Sequence, residues 1–305
     1  MAIQMHSQVV DTPPIASATV MLLRASPTGA GPGAGAGSGM EVLMMGRHAD
    51  SGVLGGAHVF PGGKVDAADQ ALDALWADRS PAAFRQALNE PALSDGLALG
   101  LFGAALRETF EESGLVLGAP AEMAGDAAER VRRLMADGGL DFLGALRALG
   151  GPWSTSGLLP WSRWVTPRVA SMMNKRFDTR FFVAVAPDLQ VERHCEREAT
   201  EAVWLTPRRA LERAWAGEID LAPPQIMSLA QLARLGSVAA VMDWARTHPP
   251  ITIEPEPFEE AGARVFSYPG DPAHSQREAL WPGPTRLVFR EGRFDAPGGL
   301  AALLA

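Results

Sequence analysis

The chain has 305 residues, a formal net charge of −8, and hydrophobic and charged fractions of 47% and 20%. Those proportions describe a globular protein long enough to bury a sizeable core. The acidic balance argues against non-specific nucleic-acid binding, which needs a basic surface. Cys195 is the only cysteine, so no disulfide forms within the chain. Its neighbour His194 does not make it a nucleophile, because sequence neighbours rarely face each other as a catalytic pair. No apolar run approaches the ~20 residues of a membrane helix. Met1–His6 lacks the basic and then apolar pattern of a secretory leader. The single cysteine suits a reducing compartment, and no membrane partner is expected.

In chain order, Ile15–Arg24 reads as a strand, and Ala25–Gly39 as a Gly/Ala/Pro-rich loop. Glu41–Arg47 reads as a second strand that completes a hairpin. His58-Val59-Phe60-Pro61-Gly62-Gly63 is a strand end entering a glycine turn, where the backbone can approach a ligand closely. Two short helices are predicted at Ala71–Trp76 and Ala82–Leu88, broken at Ser80-Pro81. Glu122–Leu149 is helical in pattern. Pro152–Pro167 reads as a connector whose Trp153, Trp161 and Trp164 are packing residues before they are ligand-stacking ones. Arg163, Arg168, Lys175, Arg176 and Arg180 form the densest cationic stretch, suited either to an anion or to charge balance. Strands are expected at Phe181–Ala186 and Ala202–Leu205. Helices are expected at Pro207–Trp215 and from Leu221 to about Arg246. From Ile251 the chain reads as a C-terminal extension with short strands at Val265–Tyr268 and Arg286–Arg290.

The centre of the chain is Arg107-Glu108-Thr109-Phe110-Glu111-Glu112-Ser113-Gly114-Leu115. At about 100° per residue, Glu108, Glu111 and Glu112 share one helix face, and Leu99, Phe102, Leu106 and Phe110 share the opposite one. Gly114 stands where a helix end favours a left-handed residue. Three carboxylates on one turn repel one another. They make either a solvated acidic face or a site for a hard divalent cation with oxygen ligands.

The glycine turn followed by R-E-x-x-E-E-x-G resembles the box of the Nudix hydrolases, G-x5-E-x7-R-E-U-x-E-E-x-G-U, with U a bulky apolar residue. Gly63, Arg107, Glu108, Glu111, Glu112, Gly114 and Leu115 match it. Asp69 stands where the box has its first Glu, and Gly63 and Arg107 are much further apart than the box allows. A split box with Phe-Pro-Gly-Gly is similar to the peroxisomal-type coenzyme A diphosphatases and their bacterial relatives. The resemblance extends through Trp161–Pro167, Arg176–Thr179 and Leu221–Gln225.

That resemblance implies an α/β (α+β) chain: a Nudix-type α/β/α sandwich with a mixed sheet over residues 1–250. Insertions fall at 67–98, inside the box, and at 120–160, and residues 251–305 pack on the domain as the extension. It implies Mg²⁺ or Mn²⁺ held by Glu108, Glu111 and Glu112, with Glu108 and Glu111 in catalysis and Arg107 orienting them. Glu198 is the first candidate for a further catalytic carboxylate and Glu201 the second. Arg47, Gly62, Gly63, Arg168 and Arg176 are the expected substrate contacts. The implied reaction is hydrolysis of the diphosphate of coenzyme A or acyl-coenzyme A. The alternatives are another nucleoside diphosphate derivative, such as ADP-ribose or NADH, and a sensor that binds a nucleotide without cleaving it. A homodimer is left open.

Overall fold

The computed structural model describes residues 9–26, 39–48, 55–70, 78–150, 153–168, 175–193 and 199–305. Among them the elements run β1 (Ile15–Ala25), β2 (Met40–Arg47), β3 (His58–Val59), β4 (Gly62–Lys64), α1 (Ala67–Gln70), α2 (Pro81–Ala87), α3 (Asp95–Ser113), α4 (Ala127–Gly138) and α5 (Phe142–Leu149). They continue as β5 (Leu159–Val165), β6 (Phe177–Val185), β7 (Ala199–Leu205), α6 (Pro207–Trp215), α7 (Pro223–Leu235) and α8 (Val238–Thr247). The chain closes with β8 (Ile251–Ile253), β9 (Glu256–Glu260), β10 (Ala263–Ser267), β11 (Arg286–Arg290), β12 (Arg293–Asp295) and α9 (Gly299–Leu304).

The main sheet has the order β3-β2-β1-β6-β5-β8, with β4 on β1 and β7 on β2. It is mixed: β1 runs parallel to β6 and β5 to β8, and the other pairs are antiparallel. Strand alternation divides β1 between two cores. Ala18, Val20 and Leu22 face one, and Met21 and Leu23 the other. The first core takes Phe84, Phe102, Phe110 and Phe142 from α2, α3 and α5. The second takes Leu211, Leu229 and Val241 from α6, α7 and α8, together with Tyr268 and Leu287 of the C-terminal segment. A mixed sheet between two helical layers is thus observed, as expected.

The sheet also decides where the glycine turn lies. β2 pairs with the end of β1 at Leu23↔Val42 and then diverges. The arm carrying β3 and β4 enters the fork. Val59 pairs with Met45 of β2, and Gly63 pairs with Ala18 of β1.

Two expectations need correction. The helix expected from Leu221 to Arg246 is two helices, α7 and α8, which meet at 109°. Gly236 ends the first at φ +72°, and the Ser237 hydroxyl caps the second by accepting from Ala240 N at 3.2 Å. The Trp-rich connector contains strand β5, because Trp161 and Trp164 fill the second core from the sheet. In the C-terminal segment β8 joins the edge of the main sheet, Ser162 opposite Ile251, and β9 to β12 form a second, four-stranded sheet. The short helix expected at 71–76 lies outside the described residues.

The insertion does more than loop out. Ser80 caps α2, accepting from Ala83 N, and Phe84 packs on Phe102 of α3 with ring centroids 4.5 Å apart. The Arg79 guanidinium stands 5.2 Å from both rings. Beyond α2, Glu90 receives Arg180 of β6 through two hydrogen bonds of 2.9 and 2.6 Å, and Arg163 of β5 at 3.0 Å.

Tyr268 is fully buried, and its hydroxyl has no hydrogen-bond partner among the described residues. Burial holds that phenol far above its ordinary pKa. Tyr268→Phe is therefore expected to preserve the fold and to gain about 1 kcal/mol by removing an unsatisfied group. Urea unfolding measures this. A loss of stability would show that the hydroxyl is bonded after all.

Candidate active site

Helix α3 carries the glutamates because both its ends are specified locally. The Ser94 hydroxyl accepts from Leu97 N at 3.2 Å, and Gly114, at φ +72°, closes the helix with its N–H on Phe110 O. Leu99, Phe102, Leu106 and Phe110 are buried. The acidic face is thereby turned toward the fork between β1 and β2.

The glycine turn meets that face. The Pro61 carbonyl accepts from Val20 N at 2.8 Å and from the Thr19 hydroxyl at 2.7 Å. The Gly62 N–H donates to Glu112 Oε2 at 3.0 Å. A Cβ on Gly63 would run into the Glu108 carboxylate, and one on Gly62 into the Ala18 carbonyl and Thr19. Position 62 needs glycine, because the atoms in the way are backbone, while a side chain at Gly63 would displace the Glu108 carboxylate. Two segments separated by the insertion therefore share one site.

Arg107 organises the carboxylates. Its Nη1 donates to Glu108 Oε1 at 2.8 Å and Glu111 Oε2 at 2.9 Å. Its Nε and Nη2 donate to the two oxygens of Asp69 at 3.0 and 2.9 Å, and Nη2 also reaches Lys64 O. Burial alone would lower the Arg107 pKa. The Asp69 hydrogen bond and the charges of Glu108, Asp69 and Glu111 outweigh it and hold the guanidinium above its ordinary value. Asp69 is fully buried and also accepts from Asp66 N at 2.8 Å. Standing in place of the longer Glu of the box, it still reaches Arg107, because α1 packs on α3. Gly100 of α3 leaves no room for a Cβ beside Gln70 and Val65.

The other expected site residues separate into groups. Arg47 lies beside the acidic face, its Nη1 3.9 Å from Glu112 Oε1. Arg168 is exposed on the segment after β5. Arg176 is buried, donating to Thr166 O at 2.9 Å with Glu254 3.7 Å away. Arg163 and Arg180 bind Asp178 and Glu90, so most of the cationic stretch is neutralised within the fold. Glu201 is held by His58, Oε1 to Nε2 at 2.9 Å. It shares a row with Val203, opposite Gly46 and Met44 of β2, which faces the second core rather than α3. Glu198, His194 and Cys195 lie outside the described residues. Sequence reasoning does not single out Thr19 or Glu90. Neither belongs to a motif, and only the tertiary contacts reveal them.

Among the described residues no three or more His, Cys, Asp or Glu side chains are already gathered as a metal cage. Here the glutamates are drawn onto Arg107 and the Gly62 N–H. The donor set nonetheless fits a hard divalent ion. It offers three carboxylates on one turn, with glycine backbone against Glu108 and Glu112.

A mixed sheet between helical layers, with a glycine turn set on the R-E-x-x-E-E face of a helix, defines a Nudix-type site. A family model described as the NUDT19 Nudix domain matches residues 76–232. The acyl-coenzyme A diphosphatase NUDT19 of Gallus gallus is 31% identical over 261 residues, covering 73% of this chain and 68% of its own length. The Xenopus laevis protein of the same name is 27% identical over 241 residues, covering 65% and 61%. The crystal structure of a Nudix hydrolase from Alicyclobacillus acidocaldarius superposes with a TM-score of 0.58 at 28% identity, covering 76% of this chain and 97% of that one. The chain belongs to the Nudix hydrolases, in the NUDT19 Nudix-domain family, and is an enzyme of that class.

Proposed function

We propose that this enzyme hydrolyses the diphosphate linkage of coenzyme A or acyl-coenzyme A. The products are 4′-phosphopantetheine, or its acyl form, and adenosine 3′,5′-bisphosphate. The observation that carries the reading is the Gly62 N–H on Glu112, which sets a side-chain-free turn against three carboxylates. The names of the Gallus and Xenopus relatives supply the substrate class.

Nudix hydrolases generally use divalent metal ions, and Glu108, Glu111 and Glu112 would hold Mg²⁺ or Mn²⁺ here. Such an ion neutralises phosphoryl oxygens and lowers the pKa of bound water. The chain's own groups do the rest. Arg107 holds Glu108 and Glu111 in place through Asp69. The turn at Gly62 and Gly63 contributes no side chain of its own beside the carboxylates, where the diphosphate would be held. Arg47, beside Glu112, is assigned to pair with a phosphoryl oxygen through its planar fork. Arg168 is the exposed cation in this assignment for the 3′-phosphate. Arg176, buried on Thr166 and Glu254, would act by holding that segment. Glu198 is assigned as the base that accepts the proton of the attacking water. A cytoplasmic setting and a dissolved nucleotide substrate belong to the same reading.

The test is a product screen of coenzyme A, acetyl-coenzyme A, ADP-ribose and NADH with Mg²⁺ or Mn²⁺. Adenosine 3′,5′-bisphosphate should accumulate from the first two at a higher kcat/KM than any product of the others. Preference for a substrate lacking the 3′-phosphate would defeat the substrate assignment.

A further inference from the structure

We infer that the C-terminal segment positions the glycine turn through a run of packed aromatic rings, with Trp281 and Tyr268 at its outer end and Phe60 at its inner end. The inference rests on the reading of that turn as part of the diphosphate site. Gly62 and Gly63 have no side chains with which to anchor themselves. Their backbone pairs with Ala18 and Thr19 of β1, and the Gly62 N–H donates to Glu112. Just upstream, Thr19 and Val20 hold Pro61 by its carbonyl, and Phe60, the residue before Pro61, is the nearest side chain that anchors the turn in a core. Phe60 is buried in the second core and meets Phe181 edge to face, with centroids 6.4 Å apart. Phe181 meets Trp164 of β5 at 6.3 Å. Trp164 meets Tyr268 at 5.8 Å and Trp281 at 6.1 Å, and those two rings also touch each other.

All five rings are buried. Tyr268 and Trp281 lie beyond residue 232, where the family match ends, so nothing in that match accounts for them. Aromatic pairs prefer particular edge-to-face and offset angles, whereas aliphatic contacts allow sliding. Close-packed interiors also transmit displacement rather than absorbing it. Two polar atoms of the run, Trp164 Nε1 and the Tyr268 hydroxyl, are buried without partners among the described residues. Ring shape and angle, not hydrogen bonding, are what these positions contribute. Trp281 is thus a positioning residue acting on the turn from the far side of the sheet.

The test is hydrogen exchange of the 58–64 segment in the full chain, read together with kcat and KM. Trp281→Leu removes the ring but fills much of its space. Exchange at Gly62, whose N–H donates to Glu112, should rise about fivefold to tenfold, with a similar fall in kcat/KM. Trp281→Phe should restore most of both. Phe289→Leu is the control, because Phe289 packs on Phe294 within the four-stranded sheet, outside the run. It should leave exchange at 58–64 unchanged. Trp164→Phe, a milder change at the centre of the run, should shift exchange in the same direction as Trp281→Leu. Unchanged exchange in Trp281→Leu and Trp164→Phe overturns the inference. An equal rise in Phe289→Leu also overturns it, since that would mean general loosening. Exchange is read without substrate, so a failed product screen leaves this result standing.

Discussion

Glu111→Gln is expected to lower kcat/KM by roughly 10²–10⁴ while leaving the fold intact. Of the three glutamates Glu111 is the most exposed, its side chain at 38% against 14% for Glu108 and 7% for Glu112. Glu112 is tied to the Gly62 N–H and Glu108 packs against Gly63. Glu111 is thus the carboxylate of the three most open to solvent. Glutamine keeps the volume and removes the charge. For stability two small effects oppose each other. The ion pair with Arg107 is lost, and like-charge repulsion with Glu108 on the same turn is relieved, each worth only about 0.2–0.5 kcal/mol. Turnover and thermal unfolding should therefore part company. Mn²⁺ titration followed by electron paramagnetic resonance supplies a readout besides activity, and weaker binding is expected. Wild-type turnover in the variant would remove Glu111 from the chemistry.

Glu90→Ala is expected to cost about 3–5 kcal/mol of stability, the range for stranding a buried ion-pair partner. Arg180 is almost completely buried and gives two charge-assisted hydrogen bonds to Glu90. Arg163 reaches the same carboxylate at 3.0 Å. Asp178 remains in the alanine variant and bonds both arginines, so one carboxylate is left facing two guanidinium groups. Glu90 also lies between α2 and the Ser94 cap of α3, so the loss falls where the insertion returns to the glutamate helix. Urea unfolding of Glu90→Ala and Glu90→Gln measures it, with Gln expected to recover part of the loss by keeping hydrogen bonds to the arginines. A change below about 1 kcal/mol, the level of a surface ion pair, would show that the cluster is solvated.

Much of the glutamate helix was legible in the chain itself. The i, i+3, i+4 spacing of Glu108, Glu111 and Glu112, the apolar stripe behind them and the closing Gly114 are local properties, so periodicity and capping alone place them. Helix α6 and strands β1 and β2 were readable for the same reason. The break between α7 and α8 was also written locally, in Gly236-Ser237, but the apolar pattern on both sides hid it. The cationic stretch reads as a patch because a sequence shows charges without their partners. Glu90, far upstream, neutralises Arg163 and Arg180. Glu201 is an available carboxylate in sequence and a partner of His58 in space.

The amino-acid order by itself determined which residues stand on the acidic face of α3, where that helix stops and which turn has no side chains. Each depends on a few neighbours and on the fixed geometry of a helix or a bend. The tertiary structure alone decided that the turn and the helix meet. It also decided that Asp69 anchors Arg107 across the insertion and that Tyr268 and Trp281, from beyond residue 250, pack on Trp164 of β5. Those contacts join segments tens to hundreds of positions apart, and their closeness follows from how the sheet forks and which face of each strand is buried, not from any local preference.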